Sequence, residues 1–260
     1  SDNNTAVGYQ SSYALTTGVY NTAVGYKSLN NGTDAGYNVA IGHQAQYTNT
    51  SADGITAVGH NAAYGLTTAI RGTFVGEYAG EAITEGSDST FIGHQAGTAT
   101  TTALKNTFVG SRAGYVNSTG HTSVCVGYYA GGGMTTGLAN TFVGNNSGQP
   151  CTEGTNNVAI GHSSGAGTTA SGNTSVGHSA GESLTTGASN TAIGSGALES
   201  QTVGASNTCV GYDAGTALVG TGDPGSMNTI VGKDAGKAAV TSQRNTWIGT
   251  GVMTTTENPS

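Results

Sequence analysis

Proline is nearly missing from this chain: 3 of 260 residues. Cysteine is equally scarce, and only 8% of residues carry charge. Each shortage excludes something. Cys125 and Cys209 fall in one repeat column five units apart, roughly 24 Å at the usual strand spacing, too far for a disulfide. With Cys151 they read as small buried apolar side chains. Seven basic residues against 14 acidic ones argue against a nucleic-acid surface. No apolar run is long enough to span a bilayer. No phosphate-cradling loop, nucleophile elbow or metal-ligand motif occurs, so no catalytic residue, cofactor or metal ligand is assigned and the chain reads as a non-enzyme. What remains is glycine, 45 residues of it, with Thr, Ser, Ala and Asn. Such a composition cannot fill a broad globular core and usually signals disorder. Disorder, however, does not require a fixed period.

The period is plain. The Gly closing each "TAVG"-like phrase recurs from Gly8 to Gly249, 15 times, at intervals of 17 residues. Two intervals depart: Gly161 to Gly177 is 16, and Gly211 to Gly232 is 21. Counting each unit from the Asn of the phrase makes this Gly position five. Position four is Val or Ile in every unit, position two Thr or Val, and position eight Ala or Ser in all but one. Thr-x-Val reads as a short β-branched strand. The Gly after it fits a corner at positive φ, and a small position eight fits a narrow interior. These features predict an all-β fold, a parallel β-solenoid (β-roll) of 15 coils with a 17-residue period. It forms a single repeat domain over 1–260, roughly 70 Å long at the usual strand spacing. The extra residues of the long interval, within 219–226 around Asp223-Pro224-Gly225, predict a loop bulging outward.

Alternation along the strand puts positions three and four on opposite faces. Uniform Val/Ile suggests that position four is the interior. Position three then faces outward, yet it is apolar or small: Ala6 to Ala57, then Phe74, Phe91, Phe108, Cys125 and Phe142, and later Ile230 and Trp247. An apolar stripe of that length exceeds what a monomer exposes. These seven large or sulfur-bearing residues are therefore candidates for an interface between copies of the chain. The alternative is the reverse orientation, position three inside and position four outside; the uniformity of position four weighs against it. Repeats run to both ends without a polar cap, which suggests a longer fibre or end-to-end joining.

Five of six His (His43, His60, His94, His162, His178) share position six with several Tyr. Adjacent pairs there stand ~5 Å apart, one strand spacing, and read as a solvated ladder. Asp213 and Asp234 share position seven and raise a calcium site as an alternative. Eight of 12 Tyr lie in the first 78 residues. Tyr13, Tyr47 and Tyr64 share position ten, and Tyr20 and Tyr37 share position 17. All five are candidates for stacking on sugar rings. Thr ladders raise ice binding as a further option. Against it, position two is expected to point inward with position four, and the 13–14 Thr pair is interrupted at Asp34, Glu85 and Val203.

The phrases "NTAVGYKSL", "NVAIGHQA", "NTFVGSRAG" and "NTAIGSGAL" resemble the head repeats of trimeric autotransporter adhesins. They resemble still more the Asn-Thr-Ala-Val-Gly-Tyr repeats of bacteriophage tail fibres. The resemblance covers the whole chain. It implies a left-handed roll, a homotrimer packed through apolar columns, and an extracellular place on a virion or cell surface. The expected task is attachment to a host or surface, with a cell-surface glycan, suggested by the outward Tyr columns, as candidate ligand. The alternatives are a subunit of an extracellular end-to-end filament and an ice-binding solenoid.

Overall fold

Thr-x-Val triplets form strands because β-branched side chains fit a pleated surface. The Gly that follows ends each strand with a turn that only Gly adopts easily. The computed structural model describes residues 2–149, 151–218, 226–241 and 243–254. The chain divides into two compact units, Ser1–Thr136 and Gly137–Ser260. The first holds β1 (Thr5–Val7), β2 (Thr22–Val24), β3 (Val39–Ile41), β4 (Asp53–Val58), β5 (Ile70–Val75), β6 (Thr90–Ile92), β7 (Thr107–Val109) and β8 (Val124–Val126). The second holds β9 (Thr141–Val143), β10 (Val158–Ile160), β11 (Thr174–Val176), β12 (Thr191–Ile193), β13 (Thr208–Val210), β14 (Thr229–Val231) and β15 (Thr246–Ile248). Among the described residues there is no helix. Within each unit every strand pairs parallel with the next in sequence, like position on like position: Ala23 with Ala40, Phe91 with Phe108, Ala192 with Cys209. Register holds across the 16-residue coil, Ala159 on Ser175, and across the 21-residue one, Cys209 on Ile230. The fold is therefore a parallel β-solenoid, as the period predicts. Of the predicted loop 219–226, all but Ser226, which is buried, lies outside the described residues.

The corner glycines act as expected. Gly42 has φ +133, and a Cβ on it would lie 2.7 Å from the carbonyl carbon of Gly59 in the next coil. Away from the strands, inter-coil bonds continue around the coil: Lys27 N–H donates to Tyr9 O (2.8 Å), and Leu29 N–H to Ala45 O (2.9 Å).

The strand's two faces are the reverse of the expectation. From Ala23 to Ile230 every position-three side chain is fully buried. Position four is half-buried or exposed in every coil, with Ile41, Ile92, Ile160 and Ile193 each near 40% exposed. Thus Phe74, Phe91, Phe108, Cys125, Phe142 and Ile230 fill the coil interior and do not face a sister chain. Trp247 is partly buried against the cluster that contains Ile230. The physical reason is volume. Position nine points into the same space, and the two positions share it. Where position three is Phe, position nine is Gly: a Cβ on Gly80 would lie 2.7 Å from Phe74, and one on Gly97 2.6 Å from Phe91. Where position three is Ala, position nine can be large, as Leu29 beside Ala23 and Leu198 beside Ala192, both fully buried. Position eight is interior as expected, with Ala45, Ala96 and Ala113 fully buried. The three cysteines are buried as well.

Position one has a reason that composition does not reveal. Its Asn side chain turns inward and bonds twice. In the second unit the Asn140 Oδ1 accepts from Asn157 N–H, Asn157 from Asn173, and Asn173 from Asn190, at 2.8–3.0 Å. Each Nδ2 also donates to the turn carbonyl of the coil, Asn190 to Gly204 O at 2.9 Å. The ladder satisfies buried backbone groups where strands are only three residues long. At Ile55 and Gly72 the Asn is absent, and there β4 and β5 lengthen to six residues and pair directly.

Candidate interaction surface

Because position three turns inward, positions two and four turn outward together. Each coil then presents Thr (Val in three coils) and Val or Ile side by side on the outer face of its strand. Neighbouring coils repeat the pair in register: Thr73 on Thr90, Val75 on Ile92. The face carries no charged side chain at these positions. At the usual strand spacing and two-residue repeat, the eight strands of the first unit give roughly 270 Å² of it.

Around the Gly corner lies position six. There Tyr9, Tyr26, His43 and His60 form one stack, with ring centroids 5.4, 5.0 and 5.0 Å apart. His162 and His178 stack at 5.2 Å, nearly parallel at 6°. Both pairs stand at the expected spacing. The next residue in the first column is Glu77, which the sequence reading passed over. Its carboxylate lies between His60 Nδ1 (3.9 Å) and His94 Nε2 (4.0 Å). The signal was available, since Glu77 occupies position six in the coil between them.

The tyrosine candidates separate into two ladders and one single residue. Tyr20 and Tyr37 stack at 5.1 Å, as do Tyr47 and Tyr64, with interplanar angles of 17° and 8°. Tyr13 is exposed, and the position-ten residue of the following coil is Asn30, which donates instead to Gln10 O. Lys27 links columns six and ten, its Nζ 5.4 Å from the Tyr26 ring and 6.0 Å from Tyr47. Stacking occupies the inner ring faces of each ladder. Edges and phenol oxygens are what the ladders present along their length.

Asp213 and Asp234 are brought together, but around an ammonium. Lys237 Nζ donates to Asp213 Oδ2 (2.8 Å) and Asp234 Oδ1 (3.0 Å). The hydrogen bond from Lys237 holds the Asp234 carboxyl below its usual range, and the bond to Asp213, then that to Asp234, raises Lys237. A lysine thus fills the position the calcium alternative required. Among the described residues no group of three or more His, Cys, Asp and Glu converges as metal ligands, and no helix is long and apolar enough to cross a membrane. Comparison of the chain with protein-family models, curated proteins and solved structures finds no match.

Proposed function

We propose that the chain is the solenoid part of an extracellular adhesive fibre of the tail-fibre or adhesin-head kind, left-handed and homotrimeric, serving attachment to a host surface. One observation carries this reading: Val or Ile faces outward in every coil, beside Thr or Val and with no charged side chain at these positions. Half-exposed β-branched residues in register along consecutive coils form a continuous apolar stripe, and contiguous exposed apolar surface is where chains associate. The sister-chain contact thereby moves from position three, where the sequence reading put it, to positions two and four. The face of one unit is well below the roughly 800 Å² per partner of a standard interface. The contact therefore extends over flanking columns, position six among them.

The test is the mass of the assembly by light scattering. The native chain is expected at three times the chain mass, and Val75→Lys with Val109→Lys at one, because two buried ammoniums per chain oppose association. A single-chain mass for the native protein overturns the reading. A glycan array with Tyr13, Tyr47 and Tyr64 replaced by Ser tests the attachment surface. Filaments of end-docked units in electron micrographs would favour the end-to-end assembly instead.

A second reading gains from the same face. Ice binding was set against an inward position two, and position two points outward. Its hydroxyls and methyls repeat in two dimensions beside the Val/Ile column. A monomer that produces thermal hysteresis would establish that use of the face, and a trimer without hysteresis would exclude it.

A further inference from the structure

We propose that His60 and Glu77, on adjacent coils, bind a divalent transition-metal ion of the zinc and copper group. The inference does not depend on the fibre reading. His60 Nδ1 is enclosed and has no hydrogen-bond partner among the described residues. The nearest acidic atom, Glu77 Oε1, is 3.9 Å away, too long for a hydrogen bond. Zinc bonds of about 2.0–2.1 Å to imidazole and 2.0–2.2 Å to carboxylate, at a tetrahedral angle, set the two ligand atoms about 3.4 Å apart, about 0.5 Å less than this gap. A metal ion therefore fits between the two atoms after a small closure, whereas a direct bond needs the side chains to approach by about 1 Å.

The imidazole is also held in place. The His60 ring is stacked on His43 at 5.0 Å, and Tyr78 meets it edge-on at 5.0 Å and 89°. Those contacts fix the ring plane, and a ligand whose orientation is already fixed binds with less ordering cost. The second oxygen, Glu77 Oε2, faces His94 Nε2 at 4.0 Å, so the carboxylate lies between two imidazoles. One imidazole and one carboxylate suit zinc, copper or nickel rather than calcium or magnesium. Water completes the coordination. The ion would clamp two neighbouring coils on the solvent side, beside the backbone bond from Tyr78 N–H to His60 O at 2.9 Å.

The experiment is calorimetric titration of the full, untagged chain with zinc chloride and copper sulfate, and with calcium chloride as control. One saturable site per chain is expected for zinc or copper, and none for calcium. His60→Phe keeps the stacked ring and removes the ligand, so it should abolish the site. Glu77→Gln should weaken it by at least about tenfold. His178→Phe, in the other histidine pair, should leave it unchanged, and circular dichroism verifies that all three variants fold. The proposal is overturned by the absence of saturable zinc or copper binding, by equal calcium binding, by binding that survives both His60→Phe and Glu77→Gln, or by a site lost with His178→Phe alone.

Discussion

Replacing Phe91 with alanine separates the two orientations of the strand. Phe91 is fully buried, its ring 4.8 Å from Phe108 and 5.4 Å from Phe74. Truncating a buried Phe costs about 3–5 kcal/mol, and the lost aromatic pairs place this site toward the upper end. Were the ring on an open surface, the change would stay within about 0.5 kcal/mol. The shared-volume argument adds a sharper test. Gly97→Leu alone forces a side chain onto Phe91, since even its Cβ would lie 2.6 Å from the ring, and overpacking costs about 1–3 kcal/mol. Joined to Phe91→Ala, the same leucine fills the vacated space, reproducing the Ala23–Leu29 and Ala192–Leu198 arrangements. The backbone permits it: Gly97 has φ +58, and Leu29 and Leu198 have φ 48 and 52. Rescue is partial, because the new Cβ still meets Phe108 at 3.1 Å and a left-handed Leu costs about 1–2 kcal/mol. The double-mutant cycle should give a favourable coupling of about 1–3 kcal/mol. Denaturant midpoints by circular dichroism measure it, and hydrogen exchange at Thr90–Ile92 locates it. A near-neutral Phe91→Ala, or additive single changes, would refute the reasoning.

Asn190→Ala removes the acceptor of Asn207 N–H (2.9 Å) and the donor to Gly204 O (2.9 Å). A loss of about 1–3 kcal/mol for groups left unpaired should appear as a lower urea midpoint and faster exchange at the Asn207 amide. At position 12, Asn117 and Thr100 are fully buried and Asn117 Nδ2 and Oδ1 and Thr100 Oγ1 have no partner among the described residues. Asn117→Leu, the residue at this position in the coils of Leu66 and Leu184, should therefore raise stability by about 1–2 kcal/mol, read as a higher melting temperature. Burial pushes the Cys209 thiol up to about 12 from an ordinary 9.0. Above about pH 9 the unfolded thiol ionises while the folded one stays protonated, so stability falls as pH rises towards 12 and is unaffected below 9. The slope for one such thiol approaches about 1.4 kcal/mol per pH unit, and Cys209→Ala should flatten the measured curve.

The period, the parallel register and the corner glycines were legible because each depends on one position repeating above itself. Orientation was misread because a uniform column was equated with burial. Inside a narrow coil, several positions divide one volume, so any one of them varies freely as long as another compensates. Phe91 with Gly97 and Ala23 with Leu29 are two divisions of the same space. On the outer face a Val lies in register with the Val or Ile above and below it, as Val75 with Ile92, and it shares no coil interior with another position. The variable column was therefore the interior one, and the pairing of Phe at position three with Gly at position nine was the signal in the sequence that would have shown it.

The same reasoning explains why local propensity fails at positions seven, nine and 17. There Lys27, Leu29 and Tyr37 have φ near +50 to +58, which costs a side-chain-bearing residue about 1–2 kcal/mol in isolation. Inter-coil bonds hold them: Lys27 N–H to Tyr9 O, Leu29 N–H to Ala45 O and Tyr37 N–H to Val19 O, at 2.8–3.0 Å. A left-handed residue is set here by the coil next to it, so no window of one chain segment reveals it. The candidate surface follows from that constraint. The backbone carries Tyr20 and Tyr37 outward in register, and the register that aligns them also turns their faces toward each other. A solenoid can thus place aromatic residues in columns from sequence alone, but the stacking that results decides which part of each ring remains open to a ligand.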